Sequence, residues 1–224
     1  MDIQNITFTL SGNEASIRTD SGYFSITRAD LAVFLKKYAE LKTNLCNSSA
    51  SKDFSDILPL YVDVEGEREL TFFDEKLKAI KYAVYLLNIS DKSEKQILSK
   101  LKLKQYSQRA CMETVEVLKK NGFISDERFC RRKYEQFSQN KLFGKRRIIT
   151  ELMSKGLSYD LCRRVVDESE TDFEQNIRFL FDKISKGVIP ETREQKKKIS
   201  DKLLRFGYSY DEISRLFEEI ESEL

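Results

Sequence analysis

The stretch Gly144–Asp167, GKRRIITELMSKGLSYDLCRRVVD, decides the fold, because its pattern occurs three times at a constant offset of 51 residues. Three columns of equivalent positions stay in register without a gap: Ile97, Ile148 and Ile199; Leu101, Leu152 and Leu203; and Ser107, Ser158 and Ser209. Self-similarity at a fixed period of this length is typical of stacked helical units. We therefore predict a helical repeat whose first two columns are buried.

Each copy has the pattern of a helix, a tight turn and a second helix. Gly156 and Gly207 stand where a helix C-terminus favours a left-handed residue, and Ser158 and Ser209 follow as N-caps. Gln105 replaces this glycine in the first copy, so we expect that turn to be strained. Capping boxes are predicted to open further helices at Ser93, Thr171 and Thr192, and Ser209 forms one with Glu212.

The composition is that of a helical protein with a substantial core. Of 224 residues, 40% are hydrophobic and 34% are charged, with only 2 Pro and 8 Gly. The 39 basic and 37 acidic residues give a net charge of only +2. Nucleic-acid binding would therefore require local segregation of positive charge.

The N-terminal region differs from the helical remainder. Residues 5–27 alternate apolar and polar positions around two Ser/Gly-containing turns, which predicts a three-stranded meander. Thr27 and Asp30 then cap a helix whose apolar stripe runs from Leu31 to Leu41. Residues 43–56 are rich in Asn, Ser and Asp and favour a linker, and residues 58–64 favour a short edge strand.

Helical signals continue without interruption from Asp74, so we predict nine helices in three three-helix repeats and a mainly α fold. The predicted organisation is a β-meander plus helix at 1–42, a linker with a short strand at 43–73, and helix-turn-helix-like repeats at 74–123, 124–170 and 171–224.

Catalysis and metal binding are not indicated. The chain has no histidine, no nucleophile elbow and no glycine-rich phosphate loop. Its cysteines show no C-x-x-C spacing, and Cys111, Cys130 and Cys162 occupy apolar-periodic positions, in contrast to Cys46. We therefore expect a non-enzyme without metal or cofactor, with these three thiols in the core. No N-terminal signal and no run of roughly 20 apolar residues is present, so we expect a cytoplasmic protein. We also expect it to be a monomer.

Basic residues are concentrated on equivalent helices of the repeats. Between Glu127 and Arg147 there are eight basic residues and only two acidic ones. The interleaved Tyr134 and Phe137 have helical spacing, which favours the core over base stacking, whereas the pattern does not decide the position of Phe143. Further groups are Arg193, Lys196, Lys197, Lys198, Lys202 and Arg205, and Lys95, Lys100, Lys102 and Lys104. Such a series could contact an extended polyanion, or it could be a solvated helix face.

Two ordered stretches carry a family resemblance. Gly122–Phe129, GFISDERF, and Gly144–Leu157, GKRRIITELMSKGL, resemble the signature stretches of the RecX family of recombinase regulators, and Ala79–Asn88 is similar to that family's opening segment. The resemblance covers about residues 74 to 224. Cys130 and Gln105 depart from the family pattern, which has alanine and glycine there, and both departures concern packing or a turn.

The resemblance implies an elongated, curved array of three-helix repeats. It also implies a non-enzymatic regulator of homologous recombination and DNA repair that binds the RecA filament on single-stranded DNA and modulates its recombinase and SOS-linked co-protease activities. We expect the direction to be inhibition, although the sequence leaves stabilisation of the filament open. The strand-rich N-terminus is similar to the extension of the longer family members.

The candidate DNA-binding or filament-binding residues are Arg131, Arg132, Lys145, Arg146, Arg147, Lys197 and Lys198. Arg146 and Arg147 lie in the first turn of a predicted helix, where the helix dipole adds to their positive charge, and Gly144 is expected to let the preceding loop turn so that Arg131 and Arg132 converge on them. Arginine suits phosphate because its planar fork binds two oxygens.

Two other classes of function remain open. A helix, a glycine turn and a second helix also begin the helix-turn-helix of a transcription factor, although the acidic last helix, with Asp211, Glu212, Glu218 and Glu219, would be repelled by phosphates. A helical scaffold that binds only protein is the other alternative.

Overall fold

The structure, a computed structural model, describes residues 1–38 and 58–222. These divide into two compact units, one of Met1–Ser90 with Ile97–Phe123 and one of Asp91–Gln96 with Ile124–Leu224. The predicted linker at 43–56, together with Leu41 and Cys46, lies outside the described residues.

A four-stranded antiparallel sheet and two helices form the N-terminal part of the first unit. Strands β1 (Asp2–Phe8), β2 (Glu14–Thr19) and β3 (Tyr23–Thr27) make the predicted meander, and β4 (Leu60–Tyr61) adds the predicted edge strand, in the order β3-β2-β1-β4. One face of the sheet packs against helix α1 (Arg28–Tyr38) and helix α2 (Val64–Ile89) and is buried by them. Apolar side chains at every second position of the strands form that buried face.

Helix α2 begins well before Asp74, where the sequence analysis placed the start of helical structure. Asp63 is its N-cap and accepts a hydrogen bond from the backbone of Gly66, with Glu65 and Glu67 in the first turn. The added turns bury Leu70 in the core of the sheet. The predicted linker at 43–73 therefore includes helix, and the missed signal was an N-cap followed by acidic first-turn residues.

Eight further α-helices follow: α3 (Glu94–Leu103), α4 (Gln108–Lys120), α5 (Asp126–Glu135), α6 (Lys145–Ser154), α7 (Tyr159–Asp167), α8 (Phe173–Ser185), α9 (Arg193–Phe206) and α10 (Tyr210–Ser222). A π-helical turn at Gln136–Asn140 continues α5. Helices α2 to α10 are the nine predicted helices, and no strand occurs in the described chain from residue 64 onward.

The 51-residue step is confirmed at the starts of helices. Helices α4, α7 and α10 begin directly after Ser107, Ser158 and Ser209, and the hydroxyl of each serine accepts a hydrogen bond from the backbone three residues on. The two predicted columns are buried: Ile97, Leu101, Ile148, Leu152, Ile199 and Leu203. Equivalent positions of the sequence therefore occupy equivalent positions of the fold.

The turns confirm the glycine pattern. Gly156 and Gly207 have φ angles of +94° and +97°, and Gln105 adopts the same left-handed conformation at 63°. The capping boxes at Ser93, Thr192 and Ser209 all form. The box at Thr171 does not, because Asp172 caps α8 and the Thr171 hydroxyl accepts a hydrogen bond from Tyr134 instead.

The core of the second unit joins helices α5 to α10. Tyr134, Phe137 and also Phe143, whose position the sequence left undecided, are buried there. Cys130 and Cys162 are buried in the same core, and burial raises the pKa of the Cys130 thiol to about 12. Cys111 is also buried, as predicted. In the described part of the chain, every helix is too short or too polar to cross a bilayer.

Candidate nucleic-acid interface

The N-terminus of α6 and the C-terminus of α9 meet in direct backbone contact. The Gly144 amide donates to the carbonyl oxygen of Phe206 at 2.8 Å, and the buried Tyr208 hydroxyl donates to the carbonyl oxygen of Leu142 at 3.0 Å. A Cβ atom on Gly144 would lie 2.6 Å from the carbonyl carbon of Gly207, which is closer than side chains approach backbone. The basic helices of the second and third repeats are therefore joined at this junction.

Gly144 serves this close approach and not a special turn. Its φ of −72° is open to any residue, so the expectation that it gives the loop conformational freedom was wrong. The preceding loop turns instead at Leu142, which has a φ of 54°. Only a residue without a Cβ lets the two backbones touch.

Arg147 is built into the junction. Its Nη1 donates to the carbonyl oxygen of Arg205 at 2.7 Å, and its guanidinium carbon lies 4.1 Å from the ring centroid of Phe143 and 5.6 Å from that of Phe206. Its Nε lies 3.6 Å from Glu151. Because these contacts occupy the guanidinium, we infer that the main role of Arg147 is to hold α6 and α9 in position and not to bind an anion.

Arg146 and Lys145 point their side chains to solvent beside this junction. Both residues are exposed, and Arg146 has no ion pair or side-chain hydrogen bond in the described parts of the chain. The Lys145 ammonium lies 5.2 Å from the ring centroid of Phe173. The carbonyl end of α9 partly offsets the positive end of the α6 dipole, because Phe206 accepts the Gly144 amide. Side-chain charge is thus the main attraction for an anion here.

Arg131 and Arg132 have acidic partners that come from other elements. Arg131 Nη2 donates to Glu168 at 2.8 Å and to Glu127 at 3.0 Å, and these carboxylates raise its pKa. Arg132 forms an ion pair with Asp91. All of these groups are about half exposed, and such surface pairs contribute little stability, so a phosphate can compete for the arginines.

The two arginine pairs have different neighbours. Arg131 contacts the C-terminal end of α7, whereas Arg147 contacts the C-terminal end of α9. Both pairs belong to the second unit, but the described contacts do not join them. Their convergence on one phosphate stays a prediction.

Helix α9 carries an exposed basic face along the length that precedes the junction. Lys197 and Lys198 are exposed and have no ion pair within residues 1–38 and 58–222, whereas Lys196 is paired with Glu221 of α10. Lys202 and Arg205 continue the exposed side toward α6. We call Lys145, Arg146, Lys197, Lys198, Lys202 and Arg205 the α6–α9 basic surface.

The chemistry of this surface fits phosphate more than bases. The nearby rings of Tyr134, Phe137 and Phe143 are buried in the core, so they offer no stacking platform. Flexible cations on helices bind the backbone of a polyanion without reading its sequence.

Sequence reasoning missed the acidic partners and the glycine contact. Asp91 and Glu168 approach α5 from distant points of the chain, and Gly144 and Gly207 belong to different repeats. No local pattern signals such pairings. The 51-residue repeat was the signal that the sequence did offer, because it identifies α6 and α9 as equivalent helices of successive repeats.

Sequence comparison finds relatives that cover most of the chain. The chain is 26% identical over 156 residues to the regulatory protein RecX of Clostridium perfringens strain 13, covering 67% of this chain and 72% of the relative. It is 29% identical over 164 residues to that of Clostridium botulinum strain Alaska E43, covering 70% and 76%. Over 95 residues it is 36% identical to regulatory protein RecX of Actinobacillus pleuropneumoniae strain L20, covering 42% and 62%. No protein-family model matches the chain.

Structure comparison shows the same fold. A crystal structure of regulatory protein RecX aligns with a TM-score of 0.74 at 17% identity, covering 97% of this chain and all of that one. The crystal structure of RecX from Lactobacillus salivarius aligns with a TM-score of 0.60 at 19% identity, covering 66% of this chain and 97% of that one.

Proposed function

The chain belongs to the RecX family, and on that premise we propose that it is a non-enzymatic regulator of the RecA recombinase. It binds the RecA filament on single-stranded DNA in the cytoplasm and inhibits strand exchange and the co-protease activity. Its role is then in homologous recombination, DNA repair and the SOS response.

The observation that carries this proposal is the α6–α9 basic surface. Its cations, which have no ion pair in the described residues, lie on two helices whose ends are joined by the Gly144–Phe206 hydrogen bond. A nucleoprotein filament presents many phosphates along its length, and cations carried on a folded scaffold can neutralise several of them at once with release of counterions.

The test is the effect of the purified chain on RecA assembled on single-stranded DNA. We expect DNA-dependent ATP hydrolysis and strand exchange to slow at stoichiometric concentrations, and repressor cleavage to slow with them. Unchanged rates at a several-fold excess would exclude the proposal.

The basic surface has its own prediction. The triple variant Arg146→Ala/Lys197→Ala/Lys198→Ala should bind the filament more weakly, and its salt slope should fall by roughly 0.7 for each single-strand phosphate that the variant no longer neutralises. Titration of filament binding against salt concentration measures both quantities.

A matched control removes the same charge elsewhere in the second unit. Arg163→Ala/Lys183→Ala/Arg215→Ala changes exposed cations on α7, α8 and α10, and it should keep the wild-type slope. Equal slopes for the two triple variants would show that only net charge matters. Arg147 is left intact in both, because its removal would disturb the junction.

A helix-turn-helix transcription factor is the second candidate. Helix α10 would be its recognition helix. However, the Glu212 carboxylate of this helix accepts hydrogen bonds from Ser209, and the helix carries several exposed acidic residues. Specific binding to duplex DNA over single strands would favour this alternative. A scaffold without DNA contact would bind its partner with little dependence on salt.

A further inference from the structure

Two tyrosines lie side by side on helix α2 in the first unit, at the edge between its buried and exposed sides. The rings of Tyr82 and Tyr85 have centroids 6.5 Å apart and planes inclined by 23°, so they are close to parallel. Tyr85 is 59% exposed, whereas Tyr82 is partly buried and lies one turn from the buried Leu86 on the same side of the helix. Core packing therefore accounts in part for Tyr82 but not for the exposed ring of Tyr85.

Lysines at the end of α3 accompany these rings. The Lys104 ammonium lies 5.4 Å from the ring centroid of Tyr82. Lys100 is one turn earlier on the same side, because the Lys104 amide donates to its carbonyl oxygen at 3.2 Å. Lys100 is exposed and has no ion pair in the described residues, whereas Lys78 on α2 is paired with Asp74 at 2.6 Å. The positive charge beside the rings thus comes from the two α3 lysines.

An exposed tyrosine ring beside a partly buried one, next to lysines with no ion pair in the described residues, suits a ligand that is both aromatic and anionic. Every nucleic-acid base has a π face that can stack on a tyrosine, and the adjoining phosphate can then meet a lysine. A hydrophobic protein segment would match the rings, but it would leave the ammonium groups without partners. Charge and ring geometry together favour single-stranded nucleic acid.

We propose that Tyr82, Tyr85, Lys100 and Lys104, the tyrosine–lysine surface, bind single-stranded nucleic acid by stacking bases on the tyrosines and pairing phosphates with the lysines. The proposal rests on the proposed function in its choice of a single-stranded partner. It adds a contact to bases in the first unit, distinct from the phosphate contacts of the α6–α9 basic surface.

A single tryptophan can report stacking directly, because the chain has no tryptophan of its own. The probe is a thymidine oligonucleotide of about 30 nucleotides, a length that exceeds the usual site of one binding module. In Tyr85→Trp, we expect saturating oligonucleotide to quench the fluorescence about twofold or more. The control is Tyr61→Trp on strand β4, at the opposite end of α2 from Tyr85, where Tyr61 is 74% exposed, and its emission should not change. Equal responses of the two tryptophans would overturn the proposal.

Affinity separates stacking from general hydrophobic contact. Tyr85→Leu keeps an apolar side chain without a π system and should weaken oligonucleotide binding about tenfold, whereas Tyr85→Phe should bind as wild type. Lys100→Gln/Lys104→Gln should lower the salt slope. Because Tyr85 and both lysines are exposed, these variants should fold, which circular dichroism checks.

The outcomes distinguish this proposal from the proposed function. Wild-type affinity in Tyr85→Leu would reject the tyrosine–lysine surface, and so would a chain that binds no oligonucleotide at all. Slowed RecA activity in either case would leave the proposed function intact. Quenching of Trp at position 85 without any effect on RecA would support the surface and reject the proposed function.

Discussion

At the scale of single residues, Gln105 shows where the repeat departs from its own rule. It holds the left-handed conformation, with a φ of 63°, that Gly156 and Gly207 hold in the other two copies. A side chain in this region costs about 1–2 kcal/mol, and glycine avoids that cost but gains entropy when unfolded. Gln105→Gly should therefore stabilise the first unit by roughly 0.5 to 1 kcal/mol in urea unfolding.

The control for this prediction lies in α3, the helix that ends just before Gln105. Lys102 is exposed in regular helical structure, so Lys102→Gly should destabilise by about 1 kcal/mol. A decrease in stability in Gln105→Gly would mean that the left-handed turn carries no strain.

Residues of this kind were predictable because their signals are local. The capping boxes at Ser93 and Thr192 and the glycine turns each depend on neighbours within a few positions. Thr171 failed because a distant Tyr134 takes its hydroxyl. Local patterns decide helix ends unless a tertiary contact competes for the same atom.

At the scale of elements, the junction of α6 and α9 requires two residues without side chains, Gly144 and Gly207. Gly144 has an ordinary φ, so a methyl group there adds no backbone strain, but it would lie within 2.8 Å of the carbonyl group of Gly207 and the amide of Tyr208. Gly144→Ala should destabilise the second unit by about 1–3 kcal/mol, the usual cost of overpacking. The free energy of unfolding in urea measures it.

Gly122→Ala is the matched control. Gly122 has a φ of +71° with no atom near its missing side chain, so alanine there costs only about 1–2 kcal/mol of backbone strain. The filament affinity separates the two effects, because loosening α6 from α9 should weaken binding in Gly144→Ala alone. An unchanged stability and affinity in Gly144→Ala would show that the two backbones do not touch in solution.

Contacts of this type between helices could not be predicted from the sequence. The 51-residue period predicted which helices are equivalent, and the apolar stripes predicted which side is buried. Neither signal contains the angle or the distance between α6 and α9, which depend on how side chains from both helices fill the space.

At the scale of the whole molecule, local charge counts overstated the basic segment of α5. Its arginines gain Asp91 and Glu168 as partners, and the free positive charge is found instead at Arg146 and on α9. A count along the chain includes only neighbours in sequence. The charge that an anion meets depends on all the groups that folding brings near.

Folding also buries weak acids in their protonated form, which makes stability depend on pH. Burial raises the pKa of Cys130 to about 12 from an ordinary 9.0, and it raises those of Cys162 and Tyr208 in the same core. Between about pH 9 and 12 the folded chain retains protons that the unfolded chain has released. Stability is therefore complete below about pH 9 and should fall as the pH rises through this range.

Urea unfolding at pH 8 and at pH 10.5 tests this expectation, and Tyr208→Phe provides the comparison. This variant lacks the hydrogen bond to the Leu142 carbonyl and should be less stable by about 1–3 kcal/mol at pH 8. It should lose less further stability on going to pH 10.5, because one fewer buried acid remains to ionise. If wild type were equally stable at both values, the thiols and the phenol would have to be accessible to solvent. If the variant matched the wild-type pH dependence, Tyr208 would not contribute, and the decrease would belong to the two cysteines.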